Sequence, residues 1–416
     1  MEKDLKIAIV GGGISGLIAA QVLENNGFTP TIYEKTNSVG GRVKTDIMDG
    51  YQLDHGFQVL LDAYPMAKKY LDYKDLELQK FLPGAAIYKN DKKVIIGDPL
   101  RKLSLLFPTL TSGIGNISDK YKILKLNAAL KKKSIDDIFK DPEMTTMDYL
   151  KNSGFSDDII SSFFKPFFTG IFLEEELTTS SRMFQFVYKM FGIGNATLPK
   201  AGIGAIPQQL ANNLKQTKII FNADLESCEN GRLVFKDGST KRVDYTIIAT
   251  ESSALVKNMR NQKVQWKSCQ TLYFTVPERI DSRPLIGLVA KEDTLINNIF
   301  FHNTLETQSS GPDELLSVTV VKSHKLTESE LITKVKSELQ TTCNITNVNY
   351  LKTYTINQAL PELATIAASI SPTETRLTDT IFLAGDYLVN GSLNAAMLSG
   401  ENAALGLLEA IHGKNL

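Results

Sequence analysis

The sequence predicts a discontinuous α/β protein: one domain built on a parallel sheet, and a second, mixed α+β domain inserted into it. Three observations lead there. Residues 6–10 read KIAIV and run straight into GGGISG and a helical pattern. Residues 381–386 read IFLAGD, an apolar run that stops at Gly-Asp shortly before another helical pattern. Between them, short apolar runs and hairpin signals recur over residues 218–250.

The 416 residues are long for a single core and point to about two domains. Hydrophobic residues make up 43% and charged residues 22%, the composition of a globular protein. Lys plus Arg equals Asp plus Glu at 46 each. That balance lacks the basic excess of a nucleic-acid binder, and no nucleic-acid partner is expected. Three scattered cysteines, Cys228, Cys269 and Cys343, make no disulfide framework and no metal-ligand spacing, which fits a reducing compartment. The first ten residues carry no export-type apolar stretch, and no window reaches the run of about 18 apolar residues that spans a bilayer. A cytoplasmic location is the expectation.

The opening motif assigns a task to each position. Gly11 permits the tight strand-to-helix turn, Gly13 lets backbone approach a pyrophosphate, and Gly16 lets helix and strand pack closely. Residues 14–23 have helical apolar spacing and are stopped by Asn25-Asn26-Gly27. The pyrophosphate then sits on the helix N-terminus, at Ile14 and Ser15, where unpaired N–H groups and the helix dipole favour negative charge. A second strand at 31–33 ends at Glu34, 21 positions past Gly13, where a carboxylate can accept from ribose hydroxyls; Lys35 follows it. Strand, turn, helix, strand and acid arrive in the order of a Rossmann-like dinucleotide site.

The next segment distinguishes between dinucleotides. After Glu34 come KTNSVGGRVKT, with Gly40, Gly41 and Arg42, and LDHGFQVL at 53–60. Here the sequence resembles the superfamily of flavin amine oxidases, protoporphyrinogen oxidases and carotenoid desaturases. The resemblance implies FAD as cofactor, with Gly41 and Arg42 at its phosphates and Gly56, Phe57, Gln58 and Val59 along the flavin ring. Residues 198–207, LPKAGIGAIP, look like the superfamily's return to the nucleotide domain. A β-meander ending in YTIIAT then covers the adenine side, with Leu225 in the place whose backbone amide touches adenine. At the far end, Gly385 and Asp386 fall at the ribityl chain. A helix beginning near Leu393 directs Asn394, Ala395 and Ala396 at the pyrimidine edge, where a positive helix end raises oxidising power. The implied division gives residues 1–60, 196–260 and 375–416 to an FAD-binding domain and 61–195 and 261–374 to a substrate-binding domain. The first substrate stretch reads as helical, and the second as a sheet with runs at 271–276 and 315–321.

By the same resemblance the chain is an FAD-dependent oxidoreductase that takes hydride from an apolar or amine-type small organic substrate. Two departures count against simple amine oxidation. Cys269 falls where amine oxidases place a lysine, with Lys267 two positions early, and Ser392 follows Gly391 where they place a tyrosine. The wording GSLNAAMLSG is nearer to the desaturases. Nine phenylalanines lie between 155 and 191 and read either as a substrate tunnel or as ordinary helical core. Residues 120–133 interleave lysines with apolar residues and read either as a solvated helix face or as a peripheral membrane contact. His55 is the one candidate acid or base, with a packing role as its alternative. His302, His324 and His412 form no metal pattern. No cysteine stands just before the terminal motif, so the flavin is expected to be non-covalent. Two other readings stay open: a flavin-dependent isomerase or mutase without net oxidation, and a catalytically silent flavin-binding protein.

Overall fold

The computed structural model of the chain describes residues 5–259 and 262–413; the boundary expected at 260/261 and the extreme chain ends lie outside the described residues. A five-stranded sheet runs in the order Lys218–Ile220, Thr31–Tyr33, Ile7–Val10, Tyr245–Ile248, Ile381–Leu383. Every neighbouring pair in it is parallel. Its central strand Ile7–Val10 is buried at each position, which is why it reads as an unbroken apolar run and not as an alternation. Ile7 and Ile9 pack into one core with the helix Ile14–Asn25, while Ala8 and Val10 pack into another with Leu225, Leu233 and Phe235.

The layer on that second face is a three-stranded antiparallel sheet of Leu225–Glu229, Arg232–Phe235 and Thr240–Arg242. The expectation that the meander ends in YTIIAT is therefore corrected. Tyr245–Ile248 lies parallel to Ile7–Val10, with Tyr245 opposite Ile7 and Ile248 opposite Val10. The reason is burial. Residues 246–248 are enclosed on both faces and belong mid-sheet, whereas Thr240–Arg242 is wholly exposed and closes the meander at an edge. The terminal helix Leu393–His412 packs on Ile14–Asn25 at backbone contact: a Cβ on Gly400 would collide with the Ser15 carbonyl.

A seven-stranded sheet forms the other half, in the order Asn349–Glu362, Gln265–Val276, Glu314–Val320, Ile296–Phe301, Ile286–Val289, Gly84–Lys89, Lys92–Gly97. The last two strands come from a stretch that reads as helical in sequence. Asn90 and Asp91 join them with φ of 50° and 56°, the two-residue hairpin that needs positive φ at both central positions. The helix Glu328–Cys343 covers one face through Leu331, Val335 and Leu339. The helix Lys165–Phe172 lies against the strands Ile286–Val289 and Ile296–Phe301, and Ile117–Lys132 packs on Ser181–Ile193.

Asp54 ties these parts together. It ends the hairpin of Thr45–Met48 and Tyr51–Asp54, and its Oδ1 accepts from Thr45 Oγ1 at 2.5 Å and from the Ile203 amide at 3.1 Å. Tyr273 of the seven-stranded sheet donates its hydroxyl to the Asp54 carbonyl at 2.9 Å. Burial with no cation beside it pushes the Asp54 carboxyl up to about 6. The folded value lies above the ordinary carboxylate value, so this group's stabilisation is complete below about pH 4 and is lost as pH rises through 6. Asn at this position keeps an acceptor for both donors. The unfolding free energy of Asp54→Asn should therefore gain on wild type by up to about 3 kcal/mol between pH 4 and pH 7, measured by chemical denaturation at each pH. A difference that stays constant with pH would contradict this account of Asp54.

Candidate active site

Gly11 leaves the central strand at φ 105°, its amide donating to the Tyr33 carbonyl at 2.9 Å. A Cβ on Gly16 would collide with the Gly11 carbonyl, so these two glycines serve the turn itself. Gly13 differs. Its φ of −76° suits any residue, and the nearest atom to an added Cβ is Gly41 Cα at 3.9 Å. The protein leaves the space over Gly13 open to the cavity, as a backbone cradle for an approaching group requires. The helix behind it, Ile14–Asn25, has no side-chain cap and no acid in its first turn, so its leading N–H groups remain free for an anion. The turn at 40–42 closes over it through a Gly13–Gly40 bridge and a Gly40 amide donating to the Gly12 carbonyl at 2.9 Å.

Glu34 is buried, and its carboxylate first serves the protein. Oε2 accepts from the Gly12 amide at 2.7 Å, and Oε1 accepts from the Thr36 amide and hydroxyl at 2.9 and 2.8 Å. Three of about four acceptor positions are filled, which leaves one toward the cavity. Arg42, expected at phosphates, is engaged elsewhere: its Nη2 meets Asp386 Oδ1 at 2.5 Å, its Nη1 donates to the Ala359 carbonyl at 3.2 Å, and its plane lies over the Trp266 ring at 5.0 Å. That pair brings the first and last motifs into direct contact. Gln58 donates to the carbonyls of Arg42 and His55 and fixes the bend between them. Phe57 packs edge-on to Phe81, and His55 is held by Asp46 at 2.9 Å and by the ring of Tyr354, the arrangement of its packing alternative.

One cavity of about 1550 Å³ is lined by Gly11, Gly13, Ile14, Ser15, Glu34, Lys35, Gly41 and Arg42, and also by His55, Gly56, Phe57, Gln58, Val59, Leu225, Gly385, Asp386 and Ala396. Ordinary ligand pockets measure about 300–1,000 Å³, so there is room for an extended dinucleotide and a second molecule. Gly16 lies behind the wall, as its packing role demands. Two expectations are corrected. Asn394 turns its side chain to accept from the Met66 amide at 3.0 Å, and Ala395 is fully buried with its amide taken by the Ser392 hydroxyl at 3.0 Å. The first turn of the terminal helix presents Leu393 and Ala396 to the cavity and turns Asn394 and Ala395 away from it.

The far chamber was not assigned residue by residue from sequence. Its walls include Ile159, Phe163, Phe167, Ile171, Met183 and Phe191. The phenylalanine-rich stretch thus divides: Phe164, Phe168, Phe184 and Phe186 are at most 1% exposed core, while Phe163, Phe167 and Phe191 face the cavity. At the junction, Lys267 Nζ meets Glu174 at 2.5 Å and Thr179 Oγ1 at 3.2 Å. Burial alone would raise the Glu174 carboxyl; the Lys267 ammonium and the Thr179 amide more than offset it and hold it below its ordinary value. Cys269 lines the same wall, and burial pushes its thiol up to about 11, so it stays protonated. Trp266 adds an indole N–H to Glu251 at 3.1 Å. Its only trace in the sequence is that it is the sole tryptophan.

The sequence profile of the flavin-containing amine oxidoreductases matches residues 14–408. A 4,4'-diapophytoene desaturase (4,4'-diaponeurosporene-forming) of Staphylococcus aureus is 28% identical over 130 residues, which span 28% of this chain and 26% of that enzyme. The match thus spans about a quarter of that relative's length. In solved structures, an oxidoreductase from Methanosarcina mazei superposes with a TM-score of 0.71 at 14% identity, covering 98% of this chain and 100% of that one. A putrescine oxidase bound to putrescine gives 0.71 at 13% identity, covering 97% and 99%. At these identities the structures show a shared fold.

The open space over Gly13 generates a test. Gly13→Ala should fold and melt as wild type does, yet bind FAD at least about tenfold more weakly, about 1.4 kcal/mol, in a fluorescence-quenching titration. Gly16→Ala, which collides with the turn, should lose stability as well. Unchanged FAD affinity in a folded Gly13→Ala protein would show that nothing approaches this backbone.

Proposed function

The chain belongs to the flavin-containing amine oxidoreductase family, and from that premise we propose that it is an FAD-dependent oxidoreductase removing hydride from a bulky apolar substrate, with its flavin held non-covalently. The observation that carries the substrate class is the far chamber. Its wall is mainly aliphatic and aromatic, and two carboxylates along it are already paired with cations: Glu174 with Lys267 at 2.5 Å and Glu143 with Arg182 at 3.2 Å. An ammonium meeting either of these carboxylates would have to displace that cation or leave its own charge unpaired in a poorly solvated space.

In this reading the open backbone at Gly13 and the leading amides at Ile14 and Ser15 take the pyrophosphate, the free acceptor position of Glu34 takes a ribose hydroxyl, and the Leu225 backbone takes adenine. Gly56 to Val59 border the ring system, and Arg42 with Asp386 closes the ribityl side. FAD supplies the hydride acceptor, and the chain supplies position and field. The apolar walls exclude water from the reacting C–H and orient the substrate by shape. His55, held through Nε2 by Asp46, is the nearest titratable ring to the expected flavin segment and keeps a positioning role here. The cysteines support non-covalent attachment: Cys228 and Cys343 are buried, and burial keeps the thiol of Cys269, on the cavity wall, protonated.

Two measurements test this together. Mild acid should release all flavin from purified protein into the supernatant. Anaerobic mixing with an acyclic isoprenoid hydrocarbon in detergent should bleach the flavin, while putrescine should not. Bleaching by the amine alone would overturn the apolar assignment, and turnover of the hydrocarbon to an isomer without bleaching would overturn oxidation.

A further inference from the structure

Thirteen large hydrophobic side chains among the described residues are exposed, and eight of them fall between Leu100 and Leu124. Leu103 is 81% exposed, Phe107 76% and Ile117 84%, far beyond what isolated surface apolar residues need by way of explanation. They sit on the helices Leu106–Thr111 and Ile117–Lys132 and the turn just before them. The same two helices frame the cavity. Leu106 and Leu110 of the first helix line it, and so do Lys120, Ile123, Leu124 and Asn127 of the second. The latter four recur at the i, i+3, i+4, i+7 spacing of one helix stripe, so inner stripe and exposed outer side belong to a single amphipathic mouth. Lys120 donates to the Leu110 carbonyl at 3.2 Å and bridges the two helices there.

The charge on this segment has one sign. Residues 101–133 hold eight Lys and Arg against a single acid, Asp119. Asp119 is fully buried, accepting from the Ser156 amide at 2.9 Å and its hydroxyl at 2.6 Å, so the segment turns no carboxylate to solvent. Lys102, Lys125, Lys131 and Lys132 are exposed around the apolar side chains. No described helix is long and apolar enough to cross a membrane. Apolar projections inside a basic surround match the two layers of an anionic leaflet, acyl chains below and phosphate headgroups above.

We propose that residues 100–132 dock the protein on the surface of an anionic lipid bilayer and open the cavity mouth toward it. Bilayer docking stands on this patch alone. Delivery of substrate through the mouth rests additionally on the apolar reading of the far chamber.

The test is flotation of the FAD-loaded protein with vesicles of phosphatidylcholine alone or mixed with phosphatidylglycerol. The protein should float with the mixed vesicles, and high salt should weaken its binding. Leu103→Asp combined with Phe107→Asp should bind at least about tenfold more weakly. Both side chains point away from the cavity lining, so flavin absorbance and Tm should stay at wild-type values. Three outcomes would overturn docking: wild type that floats with neither vesicle, a double variant that floats as wild type does, or light scattering that shows a dimer dissolved by the double variant while vesicles go unbound. Each is read without substrate, so a wrong substrate class leaves the docking result standing.

Discussion

Backbone meeting backbone without side chains between them is the constraint on which this site depends. The turn at residues 11–16 is pressed by the terminal helix at Gly400 and Ser15 and closed by the 40–42 turn at Gly12 and Gly13. Such approaches need glycine, because a Cβ on Gly16 or Gly400 would strike a carbonyl. Once those surfaces are in contact, the rest follows. Glu34 is drawn onto the Gly12 amide, Arg42 swings to Asp386, and the bend through Gln58 is fixed against Arg42. Segments more than three hundred residues apart thereby share one wall, and Gly13 is left as the open position between them.

The cavity has two physical characters that meet at the Lys267–Glu174 pair. One half is backbone amides, an incompletely used carboxylate and an uncapped helix end, a surface for a charged, hydroxyl-bearing ligand. The other is packed phenylalanine and aliphatic side chains. A half-buried ion pair at the junction is a weak source of stability, since desolvation offsets much of its attraction. Its consequence for recognition is clearer: it neutralises Glu174 where an amine would otherwise find a counter-ion.

Local signals explain what was legible in the sequence. KIAIV-GGGISG and IFLAGD read correctly as strands and turns because glycine placement and unbroken apolar runs are decided within a few residues. Asn90-Asp91 carried an equally local hairpin signal that the surrounding helical stretch obscured. Other features depend on distant partners. The place of Tyr245–Ile248 beside Ile7–Val10 follows from burial on both faces, and a short apolar run looks alike in a meander and in a parallel sheet. The bond of Asn394 to the Met66 amide joins residues 328 positions apart, and nothing local in the sequence signals it. The contacts of Trp266 with Arg42 and Glu251 are non-local in the same way.

A crystal structure of the protein saturated with FAD tests the central claim most directly. The account predicts one dinucleotide lying from Leu225, over the bare backbone of Gly13, to the bend at Phe57 and Gln58, with its ribityl chain beside Asp386. Flavin density anywhere else, or an adenine end that leaves the glycine turn uncovered, would contradict it.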